Sequence, residues 1–324
     1  MRPALYLILI GLMAYLVWLD DASQRTSSRG KLERSTAQSR TLNERVRLAT
    51  TAIMPHGSIV YAGDEAGTIR VIHLKDIEKN RSWVAHSGAI RHLERVNERL
   101  ISIGADGSVA QWVSDGTPHR RDRLVGHHLN AAVVTTAGAV VVAADRGTVA
   151  RVDVGQRWRM AGIHARAAFS LALSPDQSRV VSGGTDGQLR LWRVSDGDEG
   201  QSWRAHTGWV TETAWLSDHI WSAGSDGQVR KWTSKGERLL DLSASATAIT
   251  SMVLLGETVI AGSESGDVRV FDADTGLERW RHTVKGSVMA LGADPHRLYV
   301  GQEDGRISIW DMTNGRSIGT LPGD

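Results

Sequence analysis

Residues 183–192 read GGTDGQLRLW. The stretch is a strand end, a two-residue turn at Asp186-Gly187 and a second strand. Gly adopts positive φ without a Cβ clash, which a tight hairpin requires. Gln188, Leu189, Arg190 and Leu191 then alternate polar and apolar, the period of a half-buried strand. The unit recurs. Its Gly falls at Gly67, Gly107, Gly147, Gly187, Gly227, Gly266 and Gly305, at intervals of 40, 40, 40, 40, 39 and 39. The fifth residue after each is large and apolar: Ile72, Trp112, Val152, Trp192, Trp232, Phe271 and Trp310.

A period of about 40 residues with four strand-length pieces is the signature of propeller blades. One blade cannot bury both its faces, so the units must form a ring. The expected fold is all-β: a seven-bladed β-propeller of four-stranded antiparallel blades over residues 46–324, preceded by one transmembrane helix. Blade 4 shows the full pattern. Phe169, Leu171 and Leu173 alternate on an inner strand, Ser174-Pro175-Asp176 turns, and Arg179 to Ser182 lead into the hairpin. Asp196-Gly197 turns the chain again and Trp203 sits on the outer strand. Arg316 to Leu321 read as the last outer strand, so the C-terminal strand is expected to complete blade 7. Thr41 to Arg45, the competing segment, is poorer in β-formers.

Charge is distributed unevenly. Residues 20–47 carry seven Lys/Arg against four Asp/Glu, whereas residues 48–324 carry 30 against 32. The ring is therefore not a basic body, and nucleic acid is not its expected partner. The chain has no Cys, which removes disulfides and Cys-ligated metals. Residues 4–19, ALYLILIGLMAYLVWL, are apolar throughout. As a helix they span roughly 24 Å, a little short of the usual membrane span. Tyr15 and Trp18 lie where interfacial aromatics are expected. The competing reading is a cleaved signal peptide, but Asp20-Asp21-Ala22-Ser23 offers no small-x-small site. We read residues 4–19 as an uncleaved single-pass anchor and the polar residues 20–45 as a tether of at most about 85 Å. The Lys/Arg count after the helix favours a cytoplasmic ring, while the short N-terminus with Arg2 favours export. The balance tilts towards an extracytoplasmic propeller.

Of the twelve histidines, His86, His127, His164 and His206 keep phase with the repeat. Three join fuller sets: His86 with Ser102, Asp106 and Trp112; His164 with Ser182, Asp186 and Trp192; His206 with Ser222, Asp226 and Trp232. Each can form a buried hydrogen-bond chain that fixes the blade's loops. One catalytic triad per blade is not credible, and a single His per blade lacks the ligands for a metal.

At these residues the chain resembles the WD-repeat family. Gly126-His127 and Trp310-Asp311 match its Gly-His and Trp-Asp pairs, and Ala85-His86 and Ala205-His206 nearly do. The resemblance covers about residues 46–324 and implies a ring that binds other proteins without chemistry of its own. Several positions depart from it. Ala66, Arg146 and Ser265 replace the hairpin Asp in blades 1, 3 and 6, and Ser245 and Lys285 fall in the His slots of blades 6 and 7. Blade 6, GDVRVFDADTGLERWRHTV from Gly266, also looks like a repeat of pyrroloquinoline-quinone-type propellers. No cofactor or metal is expected, because no cluster of ligands and no nucleophile, phosphate-loop or zinc motif is present.

Most of the twelve Trp have structural slots. Trp83, Trp203 and Trp280 fall on outer strands, with Trp158 close to that slot. Trp209 differs, standing in a loop where the matching residues read as Ala89, Asn130 and Ala167. We expect a protein-binding patch around Trp209, extended by Arg91, Arg146 and Arg166. The expected function is a membrane-tethered, non-catalytic scaffold for membrane-associated partner proteins. A structural subunit of a larger membrane complex and a quinoprotein-like enzyme are the alternatives.

Overall fold

The computed structural model describes residues 48–323, except 97, 114–115, 125 and 153–158. The anchor expected at 4–19, the tether at 20–45 and Trp158 lie outside the described residues. Among the described residues no helix is long and apolar enough to cross a membrane.

Seven four-stranded antiparallel sheets make up the described residues, each from four consecutive strands. They are blade 1 (residues 50–84), blade 2 (90–123), blade 3 (129–163), blade 4 (168–204), blade 5 (210–243), blade 6 (249–283) and blade 7 (288–321). The first strand of every blade contacts the first strand of the next, and Thr50–His56 contacts Val288–Ala293 to close the ring. The first strands therefore line the axis and the fourth strands face outward.

The ring closes without an exchanged strand. Ser317–Leu321 pairs with Ile307–Asp311 as the outer strand of blade 7, so the C-terminus supplies its own blade. Closure is then a packing problem. Val60, Ala62 and Ile72 of blade 1 share one buried cluster with Tyr299, Ile307 and Ile309 of blade 7. Each Val or Ile side chain among these stabilises by about 1.5–3 kcal/mol relative to exposure. Polar contacts lock the join: Thr50 Oγ1 donates to the Gly305 carbonyl at 2.9 Å, and buried Arg70 donates to that carbonyl and to Pro322 O.

Elsewhere the blades interlock through aromatic side chains. Trp83, Trp203 and Trp280 lie on outer strands, and each meets the third-strand Trp of the following blade. The ring centroids are 5.7 Å apart for Trp83–Trp112, 6.0 Å for Trp203–Trp232 and 6.2 Å for Trp280–Trp310. Gly116, Gly236 and Gly315, in the turns before the next outer strands, lie against these same indoles.

The hairpin of blade 4 corrects one expectation. Strands Arg179–Gly184 and Gln188–Arg193 are joined by three residues, not two. Only Gly187 has positive φ (77°), and its N–H donates to Gly184 O. A type I turn closed by one left-handed residue meets the strand twist as a primed two-residue turn would. A Cβ at Gly187 would lie 2.6 Å from the His206 carbonyl, so the position excludes side chains on two counts.

Candidate protein-interaction site

The hairpin Gly also organises one face of the ring. Its carbonyl accepts backbone N–H groups from the connector that enters the next blade: Ala85 and His86 on Gly67, His164 on Gly147, and Ala205 and His206 on Gly187. Hairpins and connectors therefore share a face, and the turns between first and second strands lie on the opposite one.

Three connectors are pinned by polar chains. In blade 4, Trp192 Nε1 donates to Ser182 Oγ at 2.7 Å, Ser182 Oγ lies 2.7 Å from His164 Nε2, and His164 Nδ1 lies 3.2 Å from Asp186 Oδ1. The corresponding distances are 2.8, 2.8 and 3.1 Å for Trp112, Ser102, His86 and Asp106. They are 2.9, 2.8 and 2.8 Å for Trp232, Ser222, His206 and Asp226. Since indole is donor-only and the carboxylate acceptor-only, one proton order runs through the chains of blades 2 and 4, while in blade 5 the Arg230 guanidinium also approaches His206 Nδ1 at 2.6 Å. Trp donates to Ser, Ser to His Nε2, and His Nδ1–H to Asp. Ser102, Ser182 and Ser222 are fully buried.

Environment sets the charge states. Burial pushes the His164 imidazole below its ordinary value, outweighing the pull of Asp186. Burial pushes Asp106 and Asp226 up, but hydrogen bonds from His86 and Ser108, and from His206 and Arg230, outweigh it and hold both well below the usual carboxylate range. In blade 4 a neutral His164 on an ionised Asp186 is a fastener, with no open position for a substrate atom. Among the described residues no group of three His, Cys, Asp or Glu side chains is placed to hold a metal.

The other blades solve the hairpin differently. In blade 1, Asp64 stands two places before Ala66 and its Oδ1 accepts the Ala66 and Thr68 N–H groups. In blade 6, Ser245, Thr247, Ser265 and Asp267 form a hydroxyl–carboxylate cluster where the His chain would be. Blade 3 keeps half the chain: His127 Nδ1 lies 3.1 Å from Asp145 Oδ1, but Val142 and Val152 stand where Ser and Trp would. Arg146 then takes φ 58°, a left-handed conformation that costs a non-glycine residue about 1–3 kcal/mol. Its side chain is exposed.

Trp209 is half-buried at the end of the connector into blade 5. Its carbonyl accepts Ser225 N–H, as those of Ala49, Ala89, His128, Ala167 and Ala248 accept the matching amides of their blades. The counterpart in blade 3 is therefore His128, and Asn130 is two places further along the chain. Trp209 is the large apolar side chain of that series. Its ring lies 6.5 Å from Phe169 of blade 4. Phe169 occupies a slot that is polar in blades 1, 2, 3, 5 and 6 and Met289 in blade 7. Thr51, Asn130 and Thr250 use it to donate to the first-strand carbonyl of the next blade, at 2.7, 2.8 and 2.6 Å. Blade 4 gives up that bond and places an aromatic pair at the mouth of the ring. Sequence reasoning missed Phe169, although comparing the seven inner strands marks it as the one aromatic in its column.

Arg166, in the connector between blades 3 and 4, is exposed beside Gly147, the residue after Arg146. Arg91 stands on the inner strand of blade 2. It is solvent-accessible yet enclosed by the channel wall, and that enclosure lowers its guanidinium below the ordinary value. Glu212, on the inner strand of blade 5, is also enclosed. Burial pushes its carboxyl up to about 7, against the pull of His92. The structure thus gathers Trp209, Arg146 and Arg166 along blades 3–5, with Arg91 on blade 2 nearer the axis.

Residues 163–193 and 197–233 match the family model described as "WD domain, G-beta repeat". Two stretches of the seven-bladed propeller thus match WD repeats. The chain is similar to Drosophila melanogaster actin-interacting protein 1, 25% identical over 83% of this chain and 49% of that one. It is also similar to Rattus norvegicus apoptotic protease-activating factor 1, 23% identical over 74% of this chain and 20% of that one, and to Mus musculus telomerase protein component 1, 24% identical over 82% and 11%. The chain thus spans from about a tenth to a half of the length of these relatives. Among solved structures it resembles the computationally designed Ika8 protein, with a TM-score of 0.70 and 26% identity over 87% of this chain and 89% of that one.

Proposed function

We propose that this protein is a non-catalytic interaction scaffold that captures partner proteins on the hairpin-side face of its ring. The observation that carries the proposal is the half-exposed Phe169–Trp209 pair, the one place along the inner-strand entries where two aromatic rings meet among the described residues. An aromatic anchor beside Arg side chains has the composition of an interface hot spot. The Asp–His–Ser–Trp chains support it from below by fixing the connectors. The WD-repeat matches agree with a binding role.

Residues 4–19 hold the ring at a membrane in this proposal, with the propeller on the extracytoplasmic side and membrane-associated proteins as its partners. Co-purification in mild detergent tests the function. Trp209→Ala and Phe169→Ala should each lose partners that the wild-type chain retains, at an unchanged melting temperature. Full retention of every partner by both variants would remove the proposal. A phosphatase or fluorescent reporter fused after residue 324 tests the side: alkaline phosphatase activity is expected, and cytoplasmic fluorescence would reverse the orientation.

A further inference from the structure

The hairpin-side rim is charged unevenly around the ring. Along blades 2–4, Arg91, Arg146 and Arg166 are exposed, and none has an ion pair among the described residues. The hairpin carboxylates of this arc are already engaged, since Asp106, Asp145 and Asp186 each lie on a histidine ring, as does Asp226 of blade 5. The turn position filled by Ala105, Asp145, Thr185 and Ser225 in blades 2–5 is Glu264, Glu303 and Glu65 in blades 6, 7 and 1. Glu65 Oε1 accepts the Ala49 N–H, and Glu303 lies over Gly286 at the rim. Lys285 is the exposed cation of that acidic arc, and Arg306 pairs with Asp304. Passing around the rim from blade 3 to blade 6, the order is basic, aromatic, acidic: Arg146 and Arg166, then Phe169 and Trp209, then Glu264.

We infer that the face takes an extended peptide segment with an acidic end, an apolar centre and a basic end. This inference rests on the proposed binding role and specifies its partner. The apolar centre covers Phe169 and Trp209, the acidic end lies over Arg146 and Arg166, and the basic end lies towards Glu264. The anchor supplies most of the affinity. The charges set register and reject segments of the wrong polarity, because like charges brought together cost more than exposed opposite pairs gain. The left-handed backbone of Arg146 supports the assignment, since it holds an exposed guanidinium at the rim in a strained conformation.

Fluorescence anisotropy with labelled synthetic peptides tests this on the full-length chain in detergent. One probe is Asp-Asp-Glu-Leu-Phe-Leu-Lys-Arg-Lys. The second keeps the Leu-Phe-Leu centre and the composition but interleaves the charges. The segregated peptide should bind at least about tenfold tighter, a difference of roughly 1.4 kcal/mol. Arg146→Asp with Arg166→Glu should abolish that preference and instead favour a peptide with basic residues at both ends. Asp at position 146 preserves the left-handed backbone, and an unchanged melting temperature shows that the variant is folded. Equal binding of both peptides, lost in Trp209→Ala, would overturn the charge polarity and leave the anchor standing. Absence of binding by either peptide would overturn both.

Discussion

Replacing Ser182 by Ala removes one oxygen from blade 4 and leaves two donors or acceptors without a partner. Trp192 Nε1 and His164 Nε2 both reach that oxygen at 2.7 Å, and both side chains are buried. An unsatisfied buried polar group costs about 1–3 kcal/mol, so Ser182→Ala should cost roughly 2–5 kcal/mol. For a ring of this size that lowers the melting temperature by about 5–15 °C. The repeat supplies a partial control, blade 7 being the exception with Trp310 beside Val300. Where the Ser is absent, the indole is absent too in blades 1, 3 and 6: Ala62 with Ile72, Val142 with Val152, and Ala261 with Phe271. Replacing both partners by apolar groups avoids the orphaned donor. Trp192→Phe should therefore cost less in a Ser182→Ala background than alone, with a coupling of at least about 1 kcal/mol. Thermal unfolding followed by near-ultraviolet circular dichroism reads each corner of the cycle, with exposed Ser202→Ala as the neutral reference. A loss below about 0.5 kcal/mol for Ser182→Ala, or strict additivity, would refute the reasoning.

Other consequences can be measured on the same footing. Glu212 is raised to about 7 in the fold from 4.5, so the folded state holds its proton longer and stability falls as pH rises between those values. Glu212→Gln should stabilise the ring above pH 7 by at most about 3 kcal/mol and leave it unchanged at pH 4; equal melting at pH 8 would contradict this. Asp226 is held low, so its contribution is present above its ordinary pKa and lost as pH falls below it. Asp226→Asn should therefore flatten the acid limb of the stability profile, and an unaltered limb would count against the assignment. Truncation after Gly315 removes the outer strand of blade 7 and the Pro322 carbonyl that Arg70 reaches, and should lower the melting temperature sharply. Hydrogen exchange should find the connectors into blades 3, 6 and 7 less protected than those pinned by His86, His164 and His206; the reverse order would contradict the fastener role.

The blades are legible because their period is local. A hairpin Gly, a large residue five places on and two alternating strands lie within one repeat, and the ring follows from repetition. The polar chains are local in the same sense, since Ser, Asp and Trp keep fixed offsets from the Gly and pair across neighbouring strands. What lies between blades is less visible. Phe169 meets Trp209 across a blade boundary, and its meaning emerges only when the inner strands are set side by side. Arg70 closes the ring through residues more than 230 positions away. Asp64 caps its hairpin from two places before the usual site, which a fixed-offset search passes over. Glu212 takes its environment from strands of other blades, and its own neighbours in sequence carry no sign of it.

A photocrosslinking residue at position 209, with a control at Glu257 in an exposed turn on the opposite face, tests the central claim most directly. Irradiation of cells expressing the chain should give a discrete crosslinked partner from position 209 and none from position 257. Equal crosslinking from both faces, or a product from position 257 alone, would contradict the assignment of the hairpin-side face as the binding surface.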